Sequence, residues 1–299
     1  MATLRDIRRR IAGVKNTQKI TKAMKMVAAA KLRRAQDAII SARPYARQMK
    51  ELLQHLATTT GVKRDPLFTE RPLKNVLIIV VTADRGLCGP FNVNAVKSAI
   101  HRIRTTYPDL SSSGGVRLIC VGKKGTELLQ KQPYAISGKH TGIFSALGFP
   151  HARAITKEAV DLYLAGEVDR VEVIYNEFKS IMHQRVAFEQ LLPVPPQQAP
   201  EKSLFQNPRT GIDYIYEPSC DELVGKLLPK HLNFQMWRVL LESNAAEQAA
   251  RMTSMDNATT NATEIIRDLQ LVYNKARQAS ITKELLEIVS GAEALKKAG

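Results

Sequence analysis

Two stretches at opposite ends of the chain, each patterned to run as a single helix far longer than an ordinary domain is wide, restrict what this sequence can fold into. From the N-terminus the apolar residues fall at Leu4, Ile7, Ile11 and Val14, and after a slip at Thr17 and Gln18 they resume at Ile20, Met24 and Val27. Beyond them Ala28, Leu32, Ala35, Ile39, Ala42, Ala46, Met49, Leu53 and Leu56 alternate steps of four and three, which is the spacing of a coiled-coil seam with one register shift. Thr3 and Asp6 predict a capping box with aspartate in place of the usual glutamate, Pro44 predicts a kink, and Gly61 predicts the stop. A helix of ~55 residues reaches about 80 Å.

The C-terminal end repeats the arrangement. Between Lys230 and Ser290 there is neither Pro nor Gly, and Ala258, Ala262, Ile265, Leu269, Val272, Ala276 and Ala279 step by four and three. Such a helix spans roughly 90 Å, too long to bury its own seam, so the two terminal helices are expected to wrap around each other as an antiparallel stalk. Alanines at the seam positions let the two backbones approach closely and keep the rod thin.

Between the helices the pattern changes to α/β. Val76 to Thr82 is a continuous Val/Ile/Leu run of the kind found in buried parallel strands. It leads into the turn Asp84-Arg-Gly-Leu-Cys-Gly-Pro90 and a helix over about 92–106. A second strand, Val116 to Val121, ends at Gly122-Lys-Lys-Gly125; a helix over 153–165, a strand over 171–176 and an edge strand over 185–192 follow. A Pro-rich linker covers 193–200, and Tyr214 to Glu217 reads as a brief pairing segment. The expected fold class is therefore α/β: a long antiparallel coiled coil of the N- and C-terminal helices plus a Rossmann-like domain. The shaft comprises 1–60 and 218–299, and the α/β foot 72–217.

Charge narrows the partners. The chain carries 44 Lys and Arg against 28 Asp and Glu. Residues 1–50 alone hold fourteen basic residues against Asp6 and Asp37, whereas 220–299 balance at ten of each sign. A field of that kind steers an acidic partner without specifying it. A nucleic-acid binder would need the same basic end, but residues 1–44 contain no aromatic on which to stack a base. No segment approaches the ~20 apolar residues that span a bilayer, and no signal peptide is recognisable. Cys88, Cys120 and Cys220 lie too far apart for a disulfide framework or zinc spacing, which suits a reducing compartment.

No catalytic constellation emerges, and neither a cofactor nor a metal is expected. Gly122-Lys-Lys-Gly125 lacks the spacing and the Lys-Ser/Thr ending of a phosphate cradle, and the glycines at 86 and 89 suit a tight strand-to-helix corner better than a dinucleotide fingerprint. A dinucleotide-dependent enzyme is thereby disfavoured. Cys88 has no partner His, and the six histidines form no i, i+4 ligand pair. Asn257-Ala-Thr and Asn261-Ala-Thr match the glycosylation pattern but sit on the seam-bearing helix.

Four blocks carry a resemblance: Thr17-Gln-Lys-Ile-Thr-Lys-Ala-Met-Lys-Met-Val-Ala-Ala-Ala-Lys31, Thr82-Ala-Asp-Arg-Gly-Leu-Cys-Gly89, Glu247-Gln-Ala-Ala-Arg-Met-Thr-Ser-Met-Asp-Asn-Ala258 and Tyr273-Asn-Lys-Ala-Arg-Gln-Ala-Ser-Ile-Thr-Lys-Glu-Leu285. In this order, and over essentially the whole chain, they resemble the gamma subunit of F-type ATP synthase. The resemblance implies a non-catalytic central-stalk rotor that couples proton-driven turning of a c ring to conformational cycling of catalytic beta subunits. It also implies an alpha3beta3 hexamer, an epsilon subunit and the c ring as partners. Met24 and Lys25 correspond to the shaft level facing an acidic beta-subunit loop, and Arg277, Gln278 and Thr282 to polar positions that catch another beta-subunit loop. The absence of the chloroplast form's cysteine insert argues against thiol control. A bacterial source, with the protein peripheral on the cytoplasmic face of the plasma membrane, is the expected setting.

Overall fold

A computed structural model describes residues 3–59, 66–194 and 220–298, and these separate into two compact units. The first consists of residues up to Ala28 together with residues from Met252 onward; the second is Ala29–Arg251. The predicted stop at Gly61, most of the Pro-rich linker and the segment Tyr214 to Glu217 lie outside the described residues.

In the first unit, helix α1 (Leu4–Thr59) enters through the expected cap. Thr3 N–H donates to the Asp6 carboxylate at 3.2 Å, and Asp6 N–H returns a bond to Thr3 Oγ1 at 3.2 Å. The Thr3 hydroxyl holds the Asp6 carboxyl below the usual carboxylate range. The partner is the terminal part of helix α6 (Cys220–Ala298). Arg8 bonds Tyr273, Gln18 bonds Thr263, Thr21 bonds Thr259 and Lys25 bonds Asp256. The two residue numbers of each pair sum to 280 or 281, so the helices run antiparallel in one unbroken register.

That register corrects the expected seam. Ile7, Thr21 and Ala28 are buried while Ile11, Val14, Gln18, Met24 and Lys25 are half-buried, so the steps continue 14, 18, 21, 25, 28 without any slip. Ile20 (60% exposed) and Val27 (56%), expected in the seam, lie outside it. On α6 the seam passes through Ile266 (8% exposed), with Tyr273 and Ser280 half-buried, in place of Ile265 (46%), Val272 and Ala279. Polar side chains hold three successive layers because each finds a partner across the interface, which removes most of the cost of enclosing them. Apolar residues alone drift one residue off the true line because Gln18, Thr21 and Lys25 occupy it.

In the second unit, α1 and α6 pair through Leu32, Ala35, Ile39, Leu241, Ala245 and Ala249, and further on through Tyr45 and Phe234, whose ring centroids are 4.8 Å apart. α1 continues as one helix through Pro44. α6 begins at Cys220 and runs through Gly225 and Pro229. A proline inside a helix costs about 3 kcal/mol, and burial of Leu228, Leu232, Met236 and Leu240 against the sheet outweighs it.

The sheet has the order β3-β2-β1-β4-β5: β1 (Val76–Val81), β2 (Val116–Val121), β3 (Ala135–His140), β4 (Arg170–Phe178) and β5 (Gln184–Leu192). All neighbours are parallel except β4 and β5. Helices α2 (Phe91–Thr106) and α4 (Lys123–Leu129) cover one face, α5 (Phe149–Leu164) and α6 the other, and α3 (Pro108–Ser113) bridges to β2. β1 is buried along its whole length, as a strand covered on both faces must be. Among the described residues, α3, α4, β3 and a single 3-10 turn, Ile143–Ser145, were not expected. Strand β3, Ala-Ile-Ser-Gly-Lys-His, has no apolar run, and Gly138 sits where a Cβ would meet the Glu158 carboxylate at 2.1 Å.

Candidate interaction surface

Each unit holds one place where function could reside: in the second, the crevice at the strand ends; in the first, the outer faces of the helix pair. Doubly wound sheets bind nucleotides outside the C-terminal ends of their strands where the connections reverse direction, which here is between β1 and β4. That crevice is filled. Ala83, Cys88 and Phe91 pack there against Ala246 and Ala250 of α6, with Phe178 from the end of β4 alongside. The Arg251 guanidinium donates to the Gly86 carbonyl at 2.5 Å and to Glu247 at 2.6 Å, so α6 is bonded directly to the turn that would otherwise cradle a phosphate.

The backbone donors of the neighbouring loops are also taken. The Asp84 carboxylate accepts from the N–H groups of Lys123 at 3.0 Å, Gly142 at 2.7 Å and Phe144 at 3.0 Å. Asp84 therefore ties these three backbone positions together through its own side chain. The Thr82 hydroxyl donates to Val121 and accepts from Gly125 N–H, and Gly122, at φ 94°, lies so close to Thr82 that a Cβ would fall 2.2 Å from its carbonyl oxygen. The glycines of this stretch thus serve close packing of two loops. Cys88 is buried, and burial pushes its thiol pKa up; the same cause pushes Cys120 to about 11. Neither is a reactive thiolate. Among the described residues no cluster of His, Cys, Asp or Glu could hold a metal ion.

The helix pair of the first unit is chemically two-faced. In an antiparallel pair, residues one step before the seam on both helices share one flank, and residues one step after it share the other. The first flank presents Ile20, Met24 and Val27 from α1 and Ala258, Ile265 and Val272 from α6, interspersed with Asp6, Arg10, Thr17, Asn261, Asp268 and Lys275. The second presents Arg5, Arg8, Lys15, Lys19 and Lys22 from α1 and Arg267 and Arg277 from α6. The first flank thus mixes apolar residues with two acids and two bases, whereas the second carries seven bases against the single acid Asp256.

The five expected contact residues lie at two levels of the helix pair, and not all of them on its flanks. Met24 is half-buried on the first flank, and Lys25 occupies the seam with its Nζ 2.6 Å from Asp256 Oδ1. Arg277 and Gln278 are exposed, and Thr282, also exposed, donates its hydroxyl to the Gln278 carbonyl at 3.0 Å. Along α6 the Asp256 and Arg277 levels are separated by about 31 Å at ~1.5 Å per residue, so the structure does not bring the two groups together. Sequence reading missed Asp256 as the partner of Lys25, and it missed the flanks. The flanks were recoverable from the residues one step either side of an unbroken seam.

An antiparallel pair of very long helices, interrupted in sequence by a doubly wound α/β domain whose strand-end crevice is packed by its own side chains, defines the class of protein by its fold. The particular family follows from comparison with known proteins: residues 3–295 match the family described as ATP synthase. The chain is 54% identical over 298 residues to the ATP synthase gamma chain of Chlorobaculum tepidum, covering 99% of this chain and 100% of that one. It is 53% identical to the gamma chain of Chloroherpeton thalassium, with 99% of both covered. The chain belongs to the ATP synthase gamma-chain family. Among solved structures, a chain of the central stalk and c ring of Tetrahymena thermophila mitochondrial ATP synthase is 27% identical, with TM-score 0.60 and 80% of this chain and 99% of that one covered. A chain of the Euglena gracilis mitochondrial enzyme shares the fold at TM-score 0.67 and 20% identity, with 98% and 94% covered. No described helix is long and apolar enough to cross a membrane.

Proposed function

We propose that this chain is the central-stalk rotor of an ATP synthase: it carries no chemistry of its own and couples the turning of an ion-driven c ring to conformational cycling of catalytic subunits around it. One observation carries the reading. A shaft that is strongly basic on one flank and charge-balanced on the other cannot look the same to three equivalent neighbours, so at any angle each is biased toward a different conformation. A ligand or partner shifts a conformational equilibrium only through differential contact, and the two flanks supply that difference.

In this reading the paired helices stand inside an alpha3beta3 hexamer. Met24 and Lys25 meet acidic beta-subunit segments at one level and Arg277, Gln278 and Thr282 meet a beta-subunit loop at another. The α/β domain rests with an epsilon subunit on the c ring, at the cytoplasmic face of a bacterial plasma membrane, peripheral to the bilayer. Replacing Arg277 and Gln278 together by alanine in a reconstituted complex lowers ATP turnover and leaves the nucleotide affinity of isolated beta unchanged, because the lost bonds bias beta and touch no substrate. Hydrolysis of ATP by the purified chain alone, persisting after removal of alpha and beta, would refute the reading.

A further inference from the structure

Lys25 is anomalous in two respects. It is a charged residue at a seam position, and its ammonium is engaged inside the chain, 2.6 Å from Asp256 Oδ1, with both side chains partly exposed. Exposed pairs of this kind add little to stability, so holding the helices together does not account for it. The surroundings suggest another role. Asp256 lies on the basic flank of α6, in the row that continues through Thr260, Thr263, Arg267, Gln270, Asn274 and Arg277, and it is the one acid of that row. Along the same flank of α1 run Arg5, Arg8, Lys15, Lys19 and Lys22, and of these Lys22 stands nearest the Asp256 level.

We propose that Asp256 is a built-in stand-in for a partner's carboxylate: it holds the Lys25 ammonium while no acidic segment lies against the basic flank, and gives it up when one does. Exchange of one carboxylate for another forms a contact without leaving an ammonium unpaired at either stage, so the contact forms and breaks readily. A lysine without this internal partner would grip each acidic segment harder and release it more slowly. The inference deepens the rotor reading and rests on it for its purpose, since only a shaft that must leave each neighbour in turn needs such a contact. The exchange itself is a property of the chain alone.

The test uses the full-length chain and a fluorescent glutamate-rich peptide as the acidic probe. At low ionic strength Asp256→Asn binds the peptide about two- to fivefold more tightly than the native chain, and the difference vanishes near 0.3 M salt, where the screening length falls to about 6 Å. In a Lys25→Met background the same substitution gives no gain. Asp256→Glu, which keeps the internal carboxylate, binds as the native chain does, and its helix content by circular dichroism provides the folding control. Equal binding by Asp256→Asn and the native chain overturns the proposal. So does a gain of the same size with Lys25 absent, which would reflect net charge alone. In a reconstituted complex Asp256→Asn lowers ATP turnover at low salt and recovers at high salt. If the peptide results hold while turnover is untouched at every salt, the exchange stands and the rotor reading falls.

Discussion

Arg251→Met tests how firmly α6 is fastened over the crevice of the α/β domain. The substitution keeps an apolar stem and removes the guanidinium, which now donates to the Gly86 carbonyl and pairs with Glu247 in a site where the two side chains are only 11% and 7% exposed. Burial already raises the Glu247 carboxyl pKa, opposed by the hydrogen bond and charge of Arg251. Without Arg251 the carboxylate must stay charged and unpaired or take a proton. Protonating a carboxyl of ordinary pKa 4.5 costs about 1.4 kcal/mol per pH unit above that value, which caps the penalty at about 5 kcal/mol at pH 8 and about 2 kcal/mol at pH 6. Losing the bond to Gly86 adds about 1–2 kcal/mol at every pH. The sign follows from linkage: an acid with a raised folded pKa destabilises the fold as pH climbs from its unfolded value, so the variant is weakest in alkali. Urea unfolding monitored by Trp237, the single tryptophan and a residue packed on this domain's core, reads the effect. The expected losses are about 4 kcal/mol at pH 8 and about 2–3 kcal/mol at pH 6, with Glu247→Gln added to Arg251→Met removing the pH dependence. An identical loss at both pH values, or a loss below about 1 kcal/mol at pH 8, would refute the reasoning.

Two further substitutions probe the packing directly. Ile266→Ala should cost the helix pair about 2–4 kcal/mol in thermal unfolding followed at 222 nm, whereas its neighbour Ile265→Ala should stay within about 0.5 kcal/mol of the native chain, as an exposed position does. Gly122→Ala forces a side chain into a left-handed backbone position against the Thr82 carbonyl, and a loss of at least about 3 kcal/mol, visible as poor soluble yield, is expected.

The α/β core was legible because parallel strands buried on both faces read as continuous Val/Ile/Leu runs, as in Val76 to Val81. Strand β3 was not, because its place depends on Gly138 fitting under Glu158, a contact between residues twenty apart that leaves no apolar trace. The helical ends were legible as helices, and their antiparallel pairing followed from length. The seam was misplaced for a physical reason: Thr21 is an acceptable buried residue only because Thr259, distant in sequence, lies 2.7 Å away. Step counting from Leu4 through Gln18, Thr21 and Lys25 would have kept the register, at the cost of accepting polar seam residues whose partners a local reading cannot see. Pro229 shows the converse, a strong local signal for termination overridden by the tertiary burial of Leu228 and Leu232.

Helix α6 outruns its companion. Leu4, where α1 begins, stands level with Ala276, and from Ile281 through Ala292 every residue of α6 is exposed, including Ile281, Leu285, Leu286, Ile288 and Val289. A lone helical end of about 18 residues is only marginally stable in water, and one that shows this many large apolar side chains invites association. The chain is therefore not finished as a folded object when its own residues have packed. In the rotor reading proposed above, enclosure of these turns by neighbouring subunits completes their burial, which would make assembly the last burial step of folding and leave a chain made in excess over its partners open to aggregation or proteolysis at that end.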